Sequence, residues 1–145
     1  MTIRTTLDSM VRQRERLLAW LPSTLTRLTL GVVFAQSGWG KLQNLDDVAA
    51  FFAELHIPWP YVNATVAAAV EFGGGLLVLV GLLTRLASLP LIFVMMVAIA
   101  TAKMSEVQGV GDFLGLNEFA YLVMFVWLVF FGAGPLSIDA AIRRR

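Results

Sequence analysis

The sequence predicts an all-α integral membrane bundle of four helices with both termini on the cytoplasmic side. Three observations carry that reading. Apolar residues make up 58% of the 145 positions and charged ones only 14%, against about 25% charged in ordinary soluble domains. The apolar residues fall into four long runs. The arginines outside those runs all fall on one side. Mean hydropathy is +0.76, too apolar for a soluble domain of this length to cover with polar surface.

A spanning helix needs about 20 mostly apolar residues. The first span is expected from Pro22, through Arg27 and the uncharged run Leu28 to Gly40, and ends near Lys41. Pro22 with Ser23 and Thr24 suits a helix start. The second span is expected near Tyr61 to Leu83, carrying Glu71 as its one charge, and the third at Leu86 to Ala102. Pro90 falls early in the third, where a missing N–H costs least. The fourth is expected near Glu118 to Gly132. The first run starts late and lacks a clear A-x-A site, so it reads as an uncleaved span.

Arg4, Arg12, Arg14 and Arg16 precede the first span, Arg85 lies between the second and third, and Arg143 to Arg145 follow the fourth. The other two loops carry Asp46, Asp47, Glu54, Glu106 and Asp112, with Lys41 and Lys103 at their edges. The positive-inside bias therefore places the arginine side in the cytoplasm of an inner membrane. The chain divides into an amphipathic N-terminal segment (1–21), a four-helix transmembrane domain (22–141) and a basic tail (142–145). Thr6 to Trp20 suits the anionic inner leaflet or a solvated extension of the first span. Asp46 to His56 reads as a short amphipathic helix on the outer surface, followed by the stiff aromatic run Ile57-Pro58-Trp59-Pro60-Tyr61.

With no Cys and one His, the chain has no thiol chemistry and little material for a metal centre, so no metal is expected. A net charge of +1 gives no nucleic-acid footprint. The informative residues are those that lipid should exclude. Glu71 lies roughly 15 Å into its span, and a lone carboxylate there must be paired, protonated or hydrated. Ala67, Glu71, Gly74, Val78 and Gly81 share one helical seam, which aims Glu71 into the bundle. Gly31, Ala35 and Gly38 mark a small-residue face on the first span, and Gly75 adds to the second. Counted from the span ends, Arg27 and Glu71 differ in depth by roughly 10 Å. An Arg27–Glu71 pair, bridged by Gln36 or water, is therefore the leading expectation. Lys41 or Lys103 reaching Glu71 instead is the alternative, and Glu118 and His56 complete a candidate outer polar cluster. A packing role stands beside a proton, quinone or substrate role for each of these residues. The run Gly73-Gly74-Gly75 is no phosphate loop, because no strand precedes it.

The stretches RLTLGVVFAQSGWGK (Arg27 to Lys41), EFGGGLLVLVGLLTR (Glu71 to Arg85) and GAGPLSID (Gly132 to Asp139) resemble, in this order, three blocks of the DoxX family. The likeness covers about residues 22–141. Ala133 and Lys103 depart from the common pattern. The resemblance implies a small four-span bacterial inner-membrane protein, in a family that includes membrane subunits of a thiosulfate:quinone oxidoreductase. It implies a redox-associated function, with quinone as the candidate cofactor; the polar residues within the apolar layer then supply the candidates, Arg27 and Glu71 as catalytic residues and Gln36, Lys41, Lys103 and Glu118 for the quinone, substrate or partner site. The implied partners are the lipid bilayer, a redox protein and a second copy of the chain. A non-enzymatic membrane adaptor and a small transporter are the alternatives.

The arginine asymmetry generates the first prediction. Reporter fusions at Glu54 and Gly111 should read periplasmic, and one after Arg145 cytoplasmic. A C-terminal reporter on the outside would overturn the span count.

Overall fold

Among the described residues, 20–144, seven α-helices follow one another and no strand occurs. The computed structural model gives α1 (Leu21–Gln43), α2 (Leu45–Glu54), α3 (Pro60–Val80), α4 (Thr84–Ala98), α5 (Val110–Leu114), α6 (Asn117–Phe131) and α7 (Ile138–Arg143). The expected amphipathic segment from Thr6 lies outside the described residues up to position 19, as does Arg145.

Two helices are long and apolar enough to cross a membrane. They are Pro60–Val80 and the continuous run Thr84–Glu106, in which α4 passes into a π-helical turn at Ile99–Lys103 and a 3₁₀ turn at Met104–Glu106. The 23 residues of α1 reach roughly 35 Å at 1.5 Å per residue. The 15 residues of α6 reach only about 22 Å, less than the ~30 Å hydrocarbon layer. Pro22 sits in the first turn of α1, and Pro90 lies inside α4 with its ring facing outward. The short helix expected after the first span is α2, whose Ala49 packs inward on α3.

The core lies among the four longer helices. Leu30 and Phe34 from α1, Val78 from α3, Leu91 and Met95 from α4, and Phe125 and Leu128 from α6 form one buried cluster. Phe34 meets Phe125 and Tyr121 edge-on, at ring distances of 4.8 and 5.6 Å. The outward faces are as apolar as the core: Val32, Val66, Leu86, Phe93, Val123 and Phe130 are all exposed. Such a surface suits acyl chains and would be a liability in water.

Antiparallel α1 and α3 touch backbone to backbone, and glycine makes that approach feasible. A Cβ added at Gly31 would lie 2.6 Å from Leu79 Cα. One at Gly75 would strike the backbone of Ala35, and one at Gly38 the backbone of Phe72. The three adjacent glycines of α3 have different surroundings. Gly75 faces α1, Gly74 faces the Leu91 side chain at 3.0 Å, and Gly73 faces open space. With no hydrophobic force between helices in lipid, this close van der Waals contact is what holds the pair.

The seam predicts unequal tolerance across the glycine run. Gly75→Ala should cost roughly 1–3 kcal/mol by overpacking, whereas Gly73→Ala should be neutral or gain up to about 1 kcal/mol from helix propensity. Thermal unfolding in mild detergent reads both. Equal effects at the two positions would mean that α1 and α3 are not in backbone contact.

Candidate functional site

The register of the glycine seam decides which charges can meet. Gly31 is opposite Leu79, Ala35 opposite Gly75 and Gly38 opposite Phe72. Continuing the same step places Arg27 level with Leu83, about twelve residues or ~18 Å along the axis from Glu71. No arginine side chain spans that, so the Arg27–Glu71 pair expected from the sequence does not form.

Glu71 is 1% exposed and finds both partners on α1. Lys41 Nζ forms an ion pair with Oε1, and Ser37 Oγ donates to Oε2 at 2.9 Å. Ser37 and Lys41 stand four apart, so they share a helix face. Phe34 precedes them on that face and carries the edge-on contact with Tyr121 below the polar group. The carboxylate is enclosed, the Lys41 side chain is about one-third exposed, and Ser37 lies at the surface. A buried charge is tolerated because an opposite charge and a hydroxyl occupy its lone pairs. The site therefore joins an interior proton-binding group to the surface through two polar side chains.

The remaining candidates lie apart from this group. Gln36 is exposed on the far face of α1 and bridges nothing. Lys103, in the π-helical turn, pairs at 3.4 Å with Glu106. Glu118 is half-buried at the start of α6, with no hydrogen bond among the described residues. His56 is exposed in a left-handed turn after α2. Among the described residues no three His, Asp or Glu side chains gather as a metal-binding group.

Arg27 belongs instead to a clamp at the opposite end. It is 5% exposed. Its Nη1 donates to Leu79 O at 3.1 Å and its Nη2 to Leu136 O at 2.8 Å. A guanidinium fork thus ties α1 to the last turn of α3, where free carbonyls favour a cation, and to the segment before α7. Gly81, in left-handed conformation at φ +73, packs so closely that a Cβ would lie 2.6 Å from Arg27 Nη1. Asp139 accepts from Leu83 N at 2.8 Å and Thr84 N at 3.0 Å, capping α4 from 55 residues away. Leu83 itself is left-handed at φ 49, a conformation that such fixed hydrogen bonds sustain. Arg85 Nη2 donates to Phe130 O at 3.1 Å. The three sequence blocks therefore meet at this end as a structural clasp.

Ser37 was not singled out by the sequence, though its place one turn before Lys41 on a glycine-lined face was the available clue. Asp139 entered only through the family resemblance, because no local pattern marks a cap so distant in the chain.

The clamp needs two donors in fixed geometry. Arg27→Lys keeps the charge but loses the fork. It should cost roughly 0.5–1.5 kcal/mol through loss of one of the two hydrogen bonds to backbone carbonyls, read by thermal unfolding in detergent. An unchanged melting temperature would show that Arg27 does not hold the segment before α7.

Comparison with known proteins agrees with the membrane character of this fold. The DoxX family profile matches residues 23–104. The chain is 33% identical over 131 residues to "Uncharacterized membrane protein Rv3486" of Mycobacterium tuberculosis, covering 82% of this chain and 80% of that one. It is 32% identical over 117 residues to "Putative oxidoreductase CatD" of Bacillus subtilis, covering 79% and 82%. It is 25% identical over 124 residues to "Inner membrane protein YqjF" of Escherichia coli, covering 83% and 92%. No solved structure matches the chain. The family match, the membrane-named relatives and the all-helical apolar fold together establish that this chain is a membrane protein of the DoxX family.

Proposed function

We propose that this chain is the membrane-embedded subunit of a redox system in the bacterial inner membrane, spanning four times with both termini cytoplasmic, and that Ser37, Lys41 and Glu71 form its working site. The observation that carries the reading is a buried carboxylate whose partners lead outward, an ammonium and a surface hydroxyl set above the Phe34–Tyr121 contact. Both partners of the carboxylate reach the surface, which gives a proton or a substrate a polar route to it. The name of the Bacillus subtilis relative adds support for redox association. With no cysteine in the chain, electrons would arrive from a partner or a bound carrier.

A quinone head group is the carrier that this reading assigns to the site. A bound quinone would supply two-electron, two-proton acceptor chemistry. Lys41 Nζ keeps N–H donors beyond the one on Glu71 and would orient a carbonyl oxygen, whereas Ser37 Oγ, whose one proton goes to Glu71 Oε2, would donate to a carbonyl only once Glu71 is protonated. In this reading Glu71 Oε2, hydrogen-bonded to Ser37 Oγ, takes up or gives the proton.

A second reading is favoured by the full satisfaction of both Glu71 oxygens. There the Lys41–Glu71 pair only locks α1 to α3, and the protein is an adaptor that docks its partners. Glu71→Gln separates the two, because it keeps size and hydrogen bonding but removes the titratable proton. With the partner present in native membranes, activity per folded molecule should fall by ~100-fold or more, the range of general acid–base catalysis. Full activity in the folded variant would remove Glu71 from the mechanism and leave the adaptor.

A further inference from the structure

Two clefts lie side by side at the end where α3 turns into α4, and their linings differ in chemistry. The first, about 310 Å³, is bordered by Arg85, Gly132, Gly134, Asp139, Arg143 and Arg144. The second, about 380 Å³, is bordered chiefly by Val80, Pro135, Leu136, Ile138 and Ala141. Pro135, Ser137 and Arg144 line both, so a polar compartment lies directly beside a more apolar one.

The polar compartment is cationic in effect. Its one carboxylate, Asp139, is occupied by the amides of Leu83 and Thr84. No carboxylate pairs with Arg85, Arg143 or Arg144 among the described residues. Arg85 is held in place by Phe130 O and lies against Gly132, where a Cβ would sit 3.4 Å from its Nε. Guanidinium groups suit phosphate oxygens through paired N–H donors. The level is right as well. The membrane-crossing helices α3 and α4 end and begin here, at the boundary where phosphodiesters reside. Leu83, Leu86, Phe130 and Leu136 are all more than half exposed around the clefts, which suits contact with acyl chains.

The geometry points to a bound anionic phospholipid, its phosphodiester in the arginine compartment and the start of an acyl chain in the Leu136–Ala141 groove. The lipid would join α4, the Gly132–Pro135 loop and α7, and so fasten the clasp built by Arg27 and Asp139 from outside. The assignment rests on membrane embedding and is independent of the redox reading. Free phosphate shares the head-group chemistry but has nothing to place in the groove.

Titration of the purified full-length chain in detergent with phosphatidylglycerol and with phosphatidylcholine tests this. Phosphatidylglycerol should bind saturably and at least tenfold more tightly. The Arg143→Gln, Arg144→Gln double variant changes two side chains that make no hydrogen bond among the described residues, and should abolish most of that preference. Ala141→Trp leaves every charge in place and fills the groove, and should weaken phosphatidylglycerol binding by several-fold or more. Inorganic phosphate at millimolar concentration should not displace the lipid. Equal binding of the two lipids, insensitivity to the double arginine change, insensitivity to Ala141→Trp or displacement by phosphate would each overturn the assignment.

Discussion

The backbone contact between α1 and α3 is the constraint on which the other interactions depend. Three glycines let the helices approach until side chains would collide, and the helices cannot slide without losing all three contacts together. That register places Lys41 and Ser37 over Glu71 and carries Arg27 away to the other end. In a medium as apolar as the helix surfaces, close packing and interhelical polar bonds are the forces available. Here the two act at the same interface.

The two ends of the bundle consequently have different characters. Around Arg27 the guanidinium donates to backbone carbonyls and the Asp139 carboxylate accepts from backbone amides, and left-handed residues at Gly81 and Leu83 are fixed by neighbours distant in sequence. Around Glu71 the partners are an ammonium and a hydroxyl that reach the surface. A rigid end and a chemically responsive end are joined by one apolar core through Phe34, Leu91 and Phe125. The π-helical turn at Ile99–Lys103 lies at the responsive end, where it ends the regular part of the third long helix.

The long apolar elements were legible in the sequence, because runs such as those around Leu76 and Val94 have few other readings and caps such as Pro22 mark their starts. The burial of Glu71 was legible from its seam, since small residues at Gly74 and Gly81 mark an inward face. Its partner was not. Depth counted from span ends ignores the stagger between helices, and that stagger is set by Gly31, Gly38 and Gly75 meeting backbone that only the folded chain brings near. Lys41 stood as the alternative partner because it flanks the first span within a long side chain's reach. Ser37 offered only its spacing of one turn before Lys41, which gains meaning once Lys41 is known to meet Glu71. The C-terminal clasp was visible only by family likeness, since Asp139 acts on amides at Leu83 and Thr84 and leaves no local trace.

A double-mutant cycle on folding stability tests the register and the pairing together. Lys41→Met and Glu71→Gln are combined in one arm, Arg27→Met and Glu71→Gln in the other. Lys41 and Glu71 should couple by roughly 0.5–3 kcal/mol, while Arg27 and Glu71 should be additive within about 0.5 kcal/mol, as for distant sites. Coupling in the Arg27 arm with additivity in the Lys41 arm would contradict the seam register and the site built upon it.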